Sequence, residues 1–238
     1  MSDDQRGTIL QHLRELRRRL FYSAIAVVTA TGLSLAFYSQ IFEILKRPAG
    51  DVDLIFIGLS EMIGTVFKVA LYTGVGLALP FIVFQAVMFV APALTPKEKR
   101  YAYLLIPAVF LFFATGVAFG YFVLLPPALR FLLTFGSDIA TPQITVANYI
   151  STIVNLLFWV GVCFEIPMVM YFLAQLHILN PNLVARHRRL IVLVAFVVGA
   201  MITPTFDPLN QTLVSVPIVL LFELGIWLGR LAWRRAPK

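Results

Sequence analysis

The chain has 238 residues, of which 60% are hydrophobic and only 13% charged, and its mean hydropathy is +0.87. Soluble domains carry about 25% charged residues, so composition excludes that class and points to an all-α polytopic membrane protein. The formal net charge of +7 would suit a nucleic-acid binder, but the basic residues are placed as membrane topology requires, which argues against nucleic acid as a partner. The one cysteine, Cys163, excludes an internal disulfide and a multi-cysteine metal cluster.

In chain order, Thr8 to Gln11 reads as a capping box. Ile9, Leu13, Leu16 and Leu20 then recur at helical spacing, which predicts an amphipathic surface helix over about residues 8–19. The first apolar run is long and has no small-residue cleavage pattern, so no cleavable signal is expected. Spans are predicted at about residues 20–42, 62–90, 96–125 and 149–173. A polar stretch over residues 43–61 follows the first span, and Pro126-Pro127 opens a loop after the third. The last two spans are expected to be short. Residues 190–202 reach only about 20 Å of a roughly 30 Å core, and the sixth is predicted at about residues 212–229. Pro80, Pro107, Pro167 and Pro217 interrupt four spans and are expected to bend them. With no linker or composition break, residues 1–238 read as a single domain of six transmembrane helices.

Orientation follows from the basic residues. Arg6, Arg14, Arg17, Arg18 and Arg19 precede span one, and Lys97, Lys99 and Arg100 lie between spans two and three. Arg186, Arg188 and Arg189 lie between four and five, and Arg230, Arg234, Arg235 and Lys238 follow six. These are fifteen of the 19 Lys and Arg residues. The positive-inside rule therefore predicts both termini in the cytoplasm.

Two acids lie within apolar runs, Glu165 (followed by Pro167) and Glu223. Both fall about 12 Å from the cytoplasmic ends of their spans. An ionised carboxylate at mid-bilayer costs about 2.5–3.5 kcal/mol on insertion scales, so such residues mark function by default. Lys68, near the outer end of span two, is not at their depth, and neither acid has an evident partner. Two loop acids have plainer roles. Glu15 precedes Arg18 and Arg19 by three and four residues, the spacing of a surface ion pair. Thr95-Pro96-Lys97-Glu98 is a capping box opening span three, which also fixes a carboxylate at the cytoplasmic surface. Lys97, Lys99 and Arg100 beside it are expected to turn toward lipid phosphates. Gly116-x-x-x-Gly120 and Gly225-x-x-x-Gly229 let helix backbones approach closely, more readily within the chain than against a partner.

His12, His177 and His187 read as loop or interfacial residues, not metal ligands, and no metalloprotease helix, phosphate loop or nucleophile elbow is present. Neither a cofactor nor an enzyme activity is expected. A small-solute transporter using Glu165 and Glu223 is a different class, but no internal repeat relates the halves of the chain. A channel formed by oligomerisation lacks a repeated polar stripe.

One family gathers these features. His12-Leu13-Arg14-Glu15-Leu16-Arg17, Phe89 to Leu94 with Glu98, Phe164-Glu165-Ile166-Pro167, Ala195 to Gly199, and Thr203-Pro204 with Asp207 and Gln211 together resemble the TatC family. Its members are core receptor subunits of the twin-arginine protein translocase. The resemblance covers nearly the whole chain in order. It implies six tilted helices forming a concave wall, with two short final spans. It also implies recognition of twin-arginine signal peptides and export of folded proteins by the proton-motive force with single-span TatA and TatB subunits, in a homo-oligomeric receptor complex in the cell membrane. Position by position, it assigns Glu15, Leu16, Arg17, Phe89, Leu94 and Glu98 to the signal peptide. Glu165 becomes the polar residue within the concavity, and Thr203 and Gln211 the cluster where partner helices dock. Pro48 matches a proline of the first external loop. Asp207 follows Pro204 one residue later than the matching Asp in some relatives.

Overall fold

The computed structural model of the chain describes residues 3–50, 54, 55, 57–134, 143–203 and 207–235. The described residues contain no strand, and one parallel bridge pairs Ile55 with Thr145. Helix α1 (Asp3–Ala36) runs without interruption. Thr8 therefore lies inside a helix and does not cap one, and there is no separate surface helix over residues 8–19. The basic segment of residues 14–19 consists mostly of good helix formers, so nothing in it stops the helix before the apolar run. Phe37 leaves helical geometry, at φ −108° and ψ 20°, and α2 (Tyr38–Lys46) follows.

Helix α3 (Leu59–Val90) opens on Gly58 and Glu61 and continues through Pro80. Helix α4 (Pro96–Phe119) opens on Thr95 and continues through Pro107. It does not end where a loop was expected. A π-helical turn over Gly120–Leu124 leads directly into α5 (Leu125–Thr134), with Pro126 and Pro127 in its first turn. Proline is tolerated there because first-turn N–H groups need no helical acceptor, and the wider π turn accommodates the rings. Leu125 and Leu129 are buried, so packing on the far side of the prolines holds the rod together.

Helix α6 (Val146–Phe164) stops at Glu165, and α7 (Ile166–Gln175) resumes with Pro167 in its first turn. Pro167 has no N–H for the carbonyl of Cys163, and the Glu165 N–H instead bonds to the Val162 carbonyl at 3.1 Å. Of the four span prolines, this one breaks its helix. After α8 (Pro181–Arg186), α9 (Arg188–Ile202) has 15 residues, but α10 (Pro208–Arg235) has 28. Only the fifth predicted span is short. The basic residues taken as the end of the sixth span continue its helix, since Arg is a good helix former.

Among the described residues, five helical rods are long and apolar enough to cross a membrane: His12–Ala36, Ser60–Val90, Glu98–Leu132, Val146–Gln175 and Pro208–Arg234. Helix α6 lies at the centre, with Ile150, Ile153, Leu156 and Val160 buried against its neighbours. Inside a bilayer, lipid is as apolar as leucine, so close fit rather than exclusion of water must hold helices together. The glycines supply that fit. A Cβ on Gly161 would stand 2.7 Å from the Phe113 ring, and one on Gly225 would stand 2.6 Å from the Met170 sulfur. A Cβ on Gly116 would meet Phe164, and one on Gly229 would meet Pro181. Both glycine pairs thus serve contacts within the chain.

Candidate functional site

Helices α1 and α3 run antiparallel, and three contacts along them fix their register. The His12 and Phe89 rings lie 4.5 Å apart, Arg19 Nη1 donates to Gln85 Oε1 at 3.4 Å, and Thr31 abuts Gly74. The basic start of α1 therefore lies at the end of the molecule where α3 passes through a 3₁₀ turn (Ala91–Ala93) into Thr95 and α4. This shared end gathers Glu15, Leu16, Arg17, Phe89, Leu94 and Glu98.

Glu15, Phe89, Leu94 and Glu98 are held by local contacts. The capping box forms as its spacing predicts: Thr95 N–H and Oγ1–H both donate to Glu98 Oε2, at 2.7 and 2.8 Å, and Glu98 N–H returns a bond to Thr95 Oγ1 at 3.4 Å. Both carboxylate bonds fall on one oxygen. Glu98 Oε1 has no partner among the described residues. Glu15 is similar: its Oε1 accepts from Arg19 Nε at 3.1 Å and Nη2 at 2.6 Å, and its Oε2 is unengaged among the described residues. Phe89 lies half-buried under His12, and Leu94 packs beside Val87, Ala102 and Leu105. Leu16 and Arg17 are exposed. Of the basic residues next to Glu98, Lys99 is half-buried and Arg100 exposed, and the Lys97 side chain lies outside the described residues.

The two acids of the apolar runs part company. Glu223 is paired, contrary to expectation. Arg188 meets it with two parallel bonds, Nε to Oε1 at 2.8 Å and Nη2 to Oε2 at 2.9 Å. The partner lies 35 residues away at the start of α9, and only the packing of α9 on α10 brings it there. Both oxygens of Glu165, at the α6–α7 break, are buried and make no hydrogen bond among the described residues.

The remaining predicted residues are occupied inside the chain. Thr203 is buried, and its hydroxyl donates to the Gly199 carbonyl at 2.9 Å. Gln211 Nε2 donates to the Phe196 carbonyl at 3.0 Å. Asp207 caps α10 by accepting the Asn210 N–H at 2.7 Å. Pro48 sits in the 3₁₀ turn Arg47–Ala49 after α2.

Sequence reasoning missed several polar residues. Glu61 accepts from the N–H groups of Ile57 at 2.9 Å, Gly58 at 3.3 Å and Ala147 at 3.2 Å, tying the entry of α3 to that of α6. Its signal was present in Gly58-x-x-Glu61, a glycine N-cap followed by an N3 acid able to accept the N-cap N–H. Tyr72 donates to Asn155 Oδ1 at 2.7 Å, joining α3 to α6, a contact only the fold reveals. A cavity of about 470 Å³ between α2, α3, α4 and α6 is walled by Tyr72, Phe113, Tyr121 and Leu157 among others. The Tyr72 hydroxyl is already used, and that of Tyr121 donates to the Ile44 carbonyl at 2.8 Å, so the cavity offers little to a polar solute. Among the described residues no three metal-ligating side chains converge.

Fold and site together define a multi-pass helical membrane protein with two acids at one end, Glu15 and Glu98, that each keep an oxygen unengaged among the described residues. The sequence model described as Sec-independent protein translocase protein (TatC) matches residues 11–217, and the chain belongs to the TatC family. It is 39% identical to the Sec-independent protein translocase protein TatC of Aquifex aeolicus, with 95% of this chain and 96% of that protein covered. It is 35% identical to that of Carboxydothermus hydrogenoformans, over 96% and 95%. A crystal structure of the twin-arginine translocase receptor TatC superposes with a TM-score of 0.83 at 39% identity, over 93% of this chain and 99% of that one. The protein is accordingly a membrane component of protein translocation.

Proposed function

We propose that the chain is a receptor for twin-arginine signal peptides, binding them at the end formed by Glu15, Leu16, Arg17, Phe89, Leu94 and Glu98. In this reading residues 1–238 form one domain with six spans, α9 being the short fifth, and both termini are cytoplasmic. It has no catalytic activity of its own. With TatA- and TatB-type single-span subunits, and as a homo-oligomer in the receptor complex, it exports folded proteins across the cell membrane using the proton-motive force.

The observation that carries the reading is the free oxygen of Glu98. Its other oxygen is held by the cap, which fixes the carboxylate and leaves one acceptor without a hydrogen bond among the described residues. A guanidinium binds such a group more selectively than an ammonium does, because its planar fork matches carboxylate geometry. Glu15 adds a second free oxygen at the same end. The Glu223–Arg188 pair supports the arrangement by already neutralising the charge of Glu223. Thr203 and Gln211, committed to backbone carbonyls, favour a partner helix docking against their surroundings rather than on their polar atoms.

The test is photo-crosslinking of a twin-arginine signal peptide to the purified protein. Probes at Leu16 and Leu94 should capture the peptide, and a probe at Gln143, near the Ile55–Thr145 bridge, should not. Capture at Gln143 alone would place recognition at the wrong end. In sealed cells an impermeant thiol reagent should label Gln143→Cys from outside and leave Arg100→Cys untouched, and the reverse pattern would overturn the orientation.

A further inference from the structure

We propose that the face of α1 carrying Arg14, Arg17 and Arg18 is a binding site for an anionic phospholipid, with the phosphate held by the guanidinium groups and an acyl chain lying along Leu20, Phe21 and Ala24. These six residues, all exposed on α1, bound a shallow groove between side-chain ridges of that helix. Only Arg17 is shared with the surface discussed above; the other five lie outside it. His12 and Arg19 turn toward α3, and Arg14, Arg17, Phe21 and Ala24 follow one another at helical spacing on a different side of the same helix.

Charge complementarity selects the occupant. The nearest acid, Glu15, is taken by Arg19, and none of the three groove arginines has an ion pair among the described residues. Arg18 stands 5.9 Å over the Tyr22 ring, one turn further on toward the apolar run. Leu20 and Phe21 are exposed by 69% and 63%. Arg14 and Ala24 lie about 15 Å apart along the helix axis, so the groove is cationic at one end and apolar at the other. A phospholipid with a net negative headgroup has the matching polarity. Guanidinium groups bind phosphate with paired bonds, and basic residues beside a span attract anionic lipid. A signal peptide bearing arginines has the wrong charge for this groove. The proposal depends only on residence in a membrane and stands whether or not the signal-peptide reading is right.

The experiment is native mass spectrometry of the full-length protein in detergent, titrated with dioleoyl-phosphatidylglycerol or dioleoyl-phosphatidylcholine. Phosphatidylglycerol should bind more tightly. Arg14→Gln with Arg18→Gln should weaken it by roughly fivefold per arginine, leaving phosphatidylcholine binding, thermal unfolding and signal-peptide crosslinking unchanged. Arg186→Gln with Arg189→Gln, a basic pair elsewhere, should leave the preference intact. Phe21→Ser should weaken both lipids, and millimolar inorganic phosphate should not displace phosphatidylglycerol. Equal affinity for the two lipids would overturn the proposal, as would the same loss in the Arg186/Arg189 pair. Displacement by inorganic phosphate would reduce the groove to a free-anion site and overturn the acyl half.

Discussion

Glu61 and Glu98 hold the same position in two apolar helices: each is an N3 acid that bonds back to the N-cap N–H, one opening α3 and the other α4. They differ in what remains after the cap is made. Glu61 places Oε2 on Ile57 and Gly58 and Oε1 on Ala147, so both oxygens are spent. Around it the chain is sewn together: Ile55 N–H donates to the Ile144 carbonyl at 3.1 Å and Val146 N–H to the Ile55 carbonyl at 2.8 Å. Glu98 spends one oxygen and keeps the other. The same motif is a structural cross-link at one end of the molecule and an open acceptor at the other. Capping therefore does not distinguish a stabilising acid from a binding one; the second oxygen does.

That contrast can be broken by substitution, and the effects on stability should fall in order. Glu61→Ala removes the cap and the tie to α6 together, and it should lower the unfolding temperature in detergent the most, with Glu61→Gln recovering part of the loss. Glu98→Ala loses a cap alone, and a chemical denaturation series should show about 0.5–1 kcal/mol. Breaking the exposed Arg188–Glu223 pair with Glu223→Gln should cost less than about 1 kcal/mol, and a second substitution, Arg188→Gln, should add little to it. Glu98→Gln preserves an acceptor for the cap and loses only the helix-dipole attraction, a few tenths of a kcal/mol. If Glu98→Gln proved as damaging as Glu61→Ala, the distinction between the two acids would fail.

What could be read from the residues alone was mostly local. The Thr95–Glu98 cap and the Glu15–Arg19 pair form because their partners are three and four residues apart, which any helix brings together. The Arg188–Glu223 pair spans 35 residues, so no window on the chain contains it. Breakers misled for the same reason. Pro126-Pro127 looks like a loop until Leu125 and Leu129 are seen buried, and Pro167 ends a helix that Pro80 and Pro107 do not end. The sixth span was read too short because charge marks where the apolar core stops, whereas the helix of α10 continues to Arg235. Residue types at the candidate surface were legible through family resemblance. The free oxygens of Glu15 and Glu98 depend on three-dimensional bonding and were not.

The central claim is that Glu98 binds an arginine pair with the oxygen its cap leaves free. The direct measurement is signal-peptide affinity for the solubilised protein in a double-mutant cycle, wild type against Glu98→Gln and a twin-arginine peptide against its twin-lysine counterpart. Glu98→Gln should weaken the twin-arginine peptide by about 1.5 kcal/mol, the lower end for a charge-assisted hydrogen bond, and should change the twin-lysine peptide far less. Undiminished affinity in Glu98→Gln, or an equal loss for both peptides, would contradict the claim and leave Glu98 a helix cap.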